Sequence, residues 1–238
     1  MIDIHTHLIP NVDDGAKSVE VAFKTFEEAK KAGFTDIILT SHYIPEYNET
    51  KKEELTFWKE NLQEILKSKN SELKLHSGME VYISENVNEL IEEGRLLTLA
   101  NSKYILMELP MSTTVNYLEY VIYYLESIGL KLIIAHPERY TNVQKKPELV
   151  KEYIEKGCLM QCNYGSILGK YGKEAKDTIK YLLKNNLVHF IATDCHNSGG
   201  IYLEVPKALK KIEKIVGAKK IHEITTLNQR KIINNEQW

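Results

Sequence analysis

Seven mostly apolar runs punctuate the chain, at 2–5 (IDIH), 36–40 (DIILT), 73–79 (LKLHSGM), 103–108 (KYILME), 131–135 (KLIIA), 158–162 (CLMQC) and 189–193 (HFIAT). Several are nearly continuous rather than alternating, the pattern of strands buried on both faces of a parallel sheet. Between them the apolar period becomes helical. Ser18 precedes a run through Lys31, with Gly33 placed to cap its C-terminus. Residues 51–68 set Leu55, Trp58, Leu62, Ile65 and Leu66 along one stripe. Further helices are expected near 86–93, 115–128, 147–156, 173–185 and 203–215, with a C-terminal pair near 219–236.

Strand-then-helix alternation implies a parallel sheet with right-handed crossovers. No Pro/Gly/Ser-rich linker interrupts it, so one domain is expected over 1–238. An open doubly wound sheet fits the alternation too. A closed TIM-like barrel fits better, because the candidate functional residues follow strands spread along the whole chain, and only a barrel brings every C-terminal strand end to one mouth. Seven units make this a (β/α)7 barrel, one unit short of the usual eight.

Composition narrows the function classes. The 238 residues are 43% hydrophobic with a net charge of −2, so the basic excess of a nucleic-acid-binding surface is missing. No apolar run reaches the roughly 18 residues of a membrane helix. The chain opens directly on Met-Ile-Asp-Ile-His, without a charged leader. Three cysteines, Cys158, Cys162 and Cys195, form an odd and sparse set, which points away from a disulfide framework and toward the cytoplasm. Oligomeric state is left open.

The candidate chemistry sits at the strand ends. His5 and His7, Asp14, His42, Glu80, Glu108, His136, and Asp194 with His196 are nine potential metal ligands, and nearly every cluster follows an apolar run. Residues two apart on an extended segment face the same side, so His5 and His7 can reach one ion, and Asp194 and His196 again share a side. Asp13-Asp14-Gly15 reads equally well as ordinary turn chemistry; Asp14 enters the set through the company it keeps. A charged Glu ending an apolar strand is costly to bury unless paired or metal-bound, which favours Glu80 and Glu108 as ligands.

Arg139, three residues after His136, stands where it would meet an anionic substrate, and its planar fork suits phosphate. The plainer alternative is an Arg paired with Glu138 or another carboxylate. His76, His189 and His222 read as structural, Cys195 points away from the ligand side, and the tyrosines 117, 120, 123 and 124 read as a packing face. A cysteine phosphatase needs an Arg six residues after its Cys. Those positions hold Tyr164, Leu168 and Ile201. There is no Gly-x-Ser-x-Gly elbow, Walker loop or Gly-x-Gly-x-x-Gly.

The strings IDIHTHLIPNVDDGAKS, TSHY, GMEVYI, MELP, AHPERY and ATDCHN together resemble the polymerase-and-histidinol-phosphatase superfamily. Within it they are most similar to the bacterial metal-dependent protein-tyrosine phosphatases of capsule and exopolysaccharide loci. The resemblance implies a distorted (β/α)7 barrel with three divalent ions, usually manganese, with iron or zinc as alternatives. It would place one ion on His5, His7, Glu80 and Asp194, a second on Glu80, Glu108 and His136, and a third on Asp14, His42 and His196. Arg139 would be the catalytic arginine, helping the ions neutralise phosphoryl charge while a metal-activated hydroxide attacks phosphorus in line. The implied substrate is a phosphotyrosine protein, an autophosphorylated tyrosine kinase of polysaccharide export. Relatives commonly carry a second Arg after the last His-Asn pair. Here His196-Asn197 runs into Ser198-Gly199-Gly200-Ile201, and Lys207 is the nearest basic substitute. Two other functions remain open: a small-molecule phosphatase such as one for histidinol phosphate, and a non-catalytic regulator that keeps the barrel.

Overall fold

The computed structural model describes residues 1–238. It contains nine short strands: β1 (Ile2–Asp3), β2 (Asp36–Leu39), β3 (His42–Tyr43), β4 (Lys74–Ser77), β5 (Glu80–Tyr82), β6 (Tyr104–Glu108), β7 (Lys131–Ala135), β8 (Leu159–Asn163) and β9 (Phe190–Ala192). All pair in parallel, as β1-β2-β4 and as β3-β5-β6-β7-β8-β9. The two sheets are pieces of one ring. Strands β2 and β3 are one crossing broken at Thr40-Ser41, and β4 and β5 are one crossing broken at Gly78-Met79, so the nine strands fill seven positions. A parallel bridge between Thr6 and Cys195 closes the ring. It is reinforced where His7 N donates to Cys195 O at 2.8 Å and Asp194 N to His5 O at 2.9 Å. The outcome is a distorted seven-position barrel.

Alternate strand residues explain the near-continuous apolar runs. Ile2, Ile38, Leu106, Ile133, Leu159 and Phe190, from six strands, form an inner cluster with Leu99 and Ile232. Their neighbours Ile37, Ile105, Leu132, Met160 and Ile191 join the outer layer under the helices, with Phe26, Leu62, Val121, Ile179 and Val205. Both faces of each strand are therefore buried, which only apolar side chains tolerate cheaply. Gly78 marks where two strands and a loop crowd together. A Cβ there would stand 2.9 Å from Ile38 Cγ2 and 3.0 Å from Leu99 Cδ2.

Several element ends differ from the sequence reading. Strand β1 stops at Asp3, because His5, Thr6 and His7 bond to the residues of the ring closure instead of a regular ladder. The run 73–79 is split at Gly78-Met79. The helix expected near 203–215 spans Ile201–His222 with a bend at Gly217, whose φ is 80°, and a short helix at Tyr164–Leu168 follows β8 directly. No helix is long and apolar enough to cross a membrane.

Candidate metal centre

The barrel brings all nine ligand candidates together at the C-terminal strand ends. Nε2 of His5 lies 3.2 Å from Nε2 of His7. One carboxylate oxygen, Glu80 Oε2, lies 3.1 Å from the first, 3.3 Å from the second and 3.2 Å from His42 Nδ1. Asp194 Oδ1 is 3.5 Å from both His5 and His7 Nε2. His136 Nε2 stands 3.1 Å from Glu80 Oε1 and 3.7 Å from Glu108 Oε1. On the solvent side, Asp14 Oδ1 is 3.4 Å from His196 Nε2 and 3.6 Å from His42 Nε2.

These spacings match what ligands sharing an ion show, since bonds of roughly 2.1 Å put neighbouring ligand atoms about 3.0–3.4 Å apart. Glu80 Oε2 and His42 Nδ1 are buried without a hydrogen-bond partner despite their 3.2 Å approach. Atoms that close but not aligned for a shared proton are arranged for a common cation. Four groups of such atoms lie within 4.8 Å of one another: His7, Asp14, His42 and His196; His5, His7 and Glu80; His5, His136 and Asp194; His42, Glu80 and Glu108.

Residues behind the cluster orient it. His5 Nδ1 pairs with Gln161 Oε1 at 2.8 Å, and His7 Nδ1 with Asp13 Oδ2 at 2.9 Å. With Nδ1 bonded outward, Nε2 is the ring nitrogen of each that faces inward and is free to ligate an ion. Asp13 is itself fixed by Gly15 N at 2.9 Å and His42 N at 3.0 Å. Gly15 is required here, because a Cβ at that position would run into the His7 carbonyl. His136 and Asp194 sit at the strand ends with φ of 31° and 54°. Such left-handed backbone in non-glycine residues is typical of functional sites held by their surroundings.

The electrostatics demand positive charge. Burial opposes charging His5, yet Glu80 and Asp194 overcome it and lift its imidazole to about 9. Burial likewise opposes charge on His7, and Asp13, Asp194 and Glu80 raise it well above its ordinary value. Glu80, against its burial, is held well below the usual carboxylate range by His5 and His136. Burial and the neighbouring Glu80 push Glu108 up to about 7. Such a buried set of acids needs either protons on its histidines or cations in their place.

Arg139 ends the turn Pro137–Arg139 just after His136. Its Nη1 donates to Asp194 Oδ2 at 2.9 Å, so its partner is a carboxylate of the cluster and not Glu138. Glu138 faces the opposite way and is fully buried; its Oε1 accepts from Asn163 N at 2.8 Å and Ser166 Oγ at 2.6 Å. Asn163 Nδ2 donates to Asp194 Oδ2 at 2.8 Å. The stretch after His196 is anchored by Glu28, whose two carboxylate oxygens accept from Gly199 N at 3.0 and 2.9 Å. Lys207, the nearest basic residue after His196, is exposed with no hydrogen bond or ion pair to the cluster.

Asp3, Asp13, Gln161, Asn163 and Glu138 support the candidate ligands from behind, and the sequence reading did not single them out for that. Asp3 is buried and accepts from Thr193 N at 3.1 Å, Thr193 Oγ1 at 2.6 Å and Tyr202 OH at 2.7 Å, tying β1 to the residue before Asp194. A signal existed: Asp3 and Gln161 are polar residues inside apolar runs. The remaining histidines with contacts are structural. His76 Nε2 pairs with Asp36 at 3.0 Å, and His189 Nδ1 accepts from Met160 N at 2.9 Å. Cys195 is buried and its Sγ bonds to Asn197 O. The expected tyrosine packing face is only half present. Tyr117 and Tyr124 pack, whereas Tyr120 and Tyr123 are 51% and 74% exposed.

A parallel barrel with imidazoles and carboxylates converging at its C-terminal mouth defines a metal-dependent hydrolase. The chain belongs to the CpsB/CapC family of capsular polysaccharide synthesis, whose model matches residues 1–234. It is 32% identical to the tyrosine-protein phosphatase CpsB of Streptococcus pneumoniae over 99% of both chains. It is 31% identical to the tyrosine-protein phosphatase YwqE of Bacillus subtilis, over 99% of this chain and 92% of that one. A crystal structure from work on YwqE and CpsB, described as unique metal-dependent tyrosine phosphatases, superposes with a TM-score of 0.93 at 31% identity, covering 100% of this chain and 96% of the other. A histidinol phosphate phosphatase from Lactococcus lactis shares the fold, with a TM-score of 0.60 at 15% identity over 90% and 94% of the two chains.

Proposed function

We propose that this protein is a metal-dependent protein-tyrosine phosphatase, with residues 1–238 acting as one domain around three divalent ions, manganese foremost. The carrying observation is the convergence of His5, His7 and His42 on the single buried oxygen Glu80 Oε2. His5, His7, Glu80 and Asp194 would hold one ion, Glu80, Glu108 and His136 a second, and Asp14, His42 and His196 a third. Bound divalent ions supply Lewis-acid polarisation of phosphoryl oxygens and lower the pKa of water toward neutrality.

The chain's own groups do the rest. Arg139 places a planar, permanently charged fork beside the cluster, where it neutralises charge on the equatorial phosphoryl oxygens. Gln161 and Asp13 keep the His5 and His7 Nε2 atoms facing inward. The cysteines take no part: all three are buried, and burial pushes their thiols up.

The kinship with named tyrosine phosphatases of capsule synthesis supports a phosphotyrosine protein as substrate. As the partner we propose an autophosphorylated tyrosine kinase of that process. The sparse cysteines favour a cytoplasmic setting. The test is turnover by the manganese-loaded protein of a phosphotyrosine peptide and of histidinol phosphate. Preference for the peptide, abolished by chelator and restored by manganese, is expected. Preference for histidinol phosphate would move the assignment to the small-molecule branch of the fold, and no turnover of either would favour a non-catalytic regulator.

A further inference from the structure

The segment after β8 folds back over the barrel mouth. Gly169 and Gly172 both take left-handed backbone, with φ of 88° and 93°, and this double reversal carries Tyr171 to Arg139. The guanidinium carbon lies 4.5 Å from the Tyr171 ring centroid, while Nη1 of the same group is bound to Asp194. The ring also lies close to Gly165, where a Cβ would come within 2.8 Å of Tyr171 Cε2. Gly165 lies two residues after Asn163, which itself holds Asp194. The ring thus lies against both Gly165 and Arg139, with the residue still 36% exposed.

Resting on the phosphatase reading above, we propose that Tyr171 is a positioning residue for Arg139, the stacked ring fixing the guanidinium plane so that its fork meets the substrate phosphate without searching. An unsupported Arg side chain loses conformational freedom when it binds; a stacked one has already lost it. With Arg139 the only arginine bonded to the cluster, the orientation of that one fork matters more. Gly165 follows from the same contact: the ring fits only because position 165 has no side chain.

The manganese-loaded protein and its Tyr171→Phe, Tyr171→Ala, Gly165→Ala, Arg139→Ala and Tyr171→Ala/Arg139→Ala variants would be compared. The comparison covers turnover of a phosphotyrosine peptide, inorganic phosphate binding by calorimetry and metal content. Tyr171→Ala should lower kcat/KM and phosphate affinity about tenfold at unchanged metal content, whereas Tyr171→Phe should stay within about twofold of the parent. Gly165→Ala should cause a loss in the parent and none in the Tyr171→Ala background, which separates displacement of the ring from damage to the fold. The double variant should be no worse than Arg139→Ala alone. Parent-like kinetics for Tyr171→Ala, or losses that multiply in the double variant, would overturn the proposal while leaving the phosphatase reading intact; a parent protein inactive on phosphotyrosine would instead remove that reading.

Discussion

The Nε2 atoms of His5 and His7 face each other across 3.2 Å, while a different residue holds each ring from behind, Gln161 at 2.8 Å and Asp13 at 2.9 Å. Both Nε2 atoms also face the Glu80 carboxylate, at 3.1 and 3.3 Å. Their raised affinity for protons comes from the surrounding carboxylates, which a cation would satisfy equally well. Metal uptake near neutral pH should therefore release protons, and affinity should weaken as the solution is acidified from about 9, the His5 value. Calorimetric titration with manganese in buffers of differing ionisation enthalpy measures the release directly. A buffer-independent heat would contradict this assignment.

Asp13 orients His7 and receives the backbone N–H of His42, so it steadies two proposed ligands at once. Asp13→Asn should lower metal affinity by about 10–100-fold with little change in fold. Competition with a metal-binding dye, alongside circular dichroism, checks both halves of that statement.

Arg139→Ala should reduce transition-state stabilisation by about 2–4 kcal/mol, measured as kcat/KM on a phosphotyrosine peptide. Arg139→Lys should recover only part of it, because an ammonium cannot donate two parallel bonds to phosphate. Turnover equal to the parent in Arg139→Ala would remove this residue from the mechanism.

His189 offers a pH test of stability away from the cluster. Burial, helped by Lys220, lowers its imidazole to about 4, and Nδ1 must stay unprotonated to accept from Met160 N. The unfolded chain takes up this proton near 6.5 and the folded chain near 4. Stability is thus fully present above 6.5 and declines as pH falls toward 4, by on the order of 2–3 kcal/mol. In His189→Gln the acid limb of the melting-temperature profile should flatten over that window. An unchanged limb would show that His189 does not set it.

What local sequence encodes, it encoded well here. Ligand-type residues are chemically conspicuous when they end an apolar run, so His136 after KLIIA and Asp194 after HFIAT stand out without coordinates. Strand and helix periods depend on neighbours two to four residues apart, and these marked out the seven units. Missed were features lacking a local signature: the helix Tyr164–Leu168 has only five residues, and the strand crossings are broken at Thr40-Ser41 and Gly78-Met79, the latter where a side chain at Gly78 would meet Ile38 and Leu99.

By itself the chain determined which residues are candidate donors and how strands and helices alternate. Only the tertiary structure decided which distant groups stand behind the donors, because those pairs are joined by closure of the ring. His5 meets Gln161 across 156 positions, and Asp3 meets Thr193 across 190. Polar side chains such as Asp3 and Gln161 look like isolated irregularities in an apolar run until the barrel closes. Their burial then demands a partner, and distance along the chain says nothing about which one it will be.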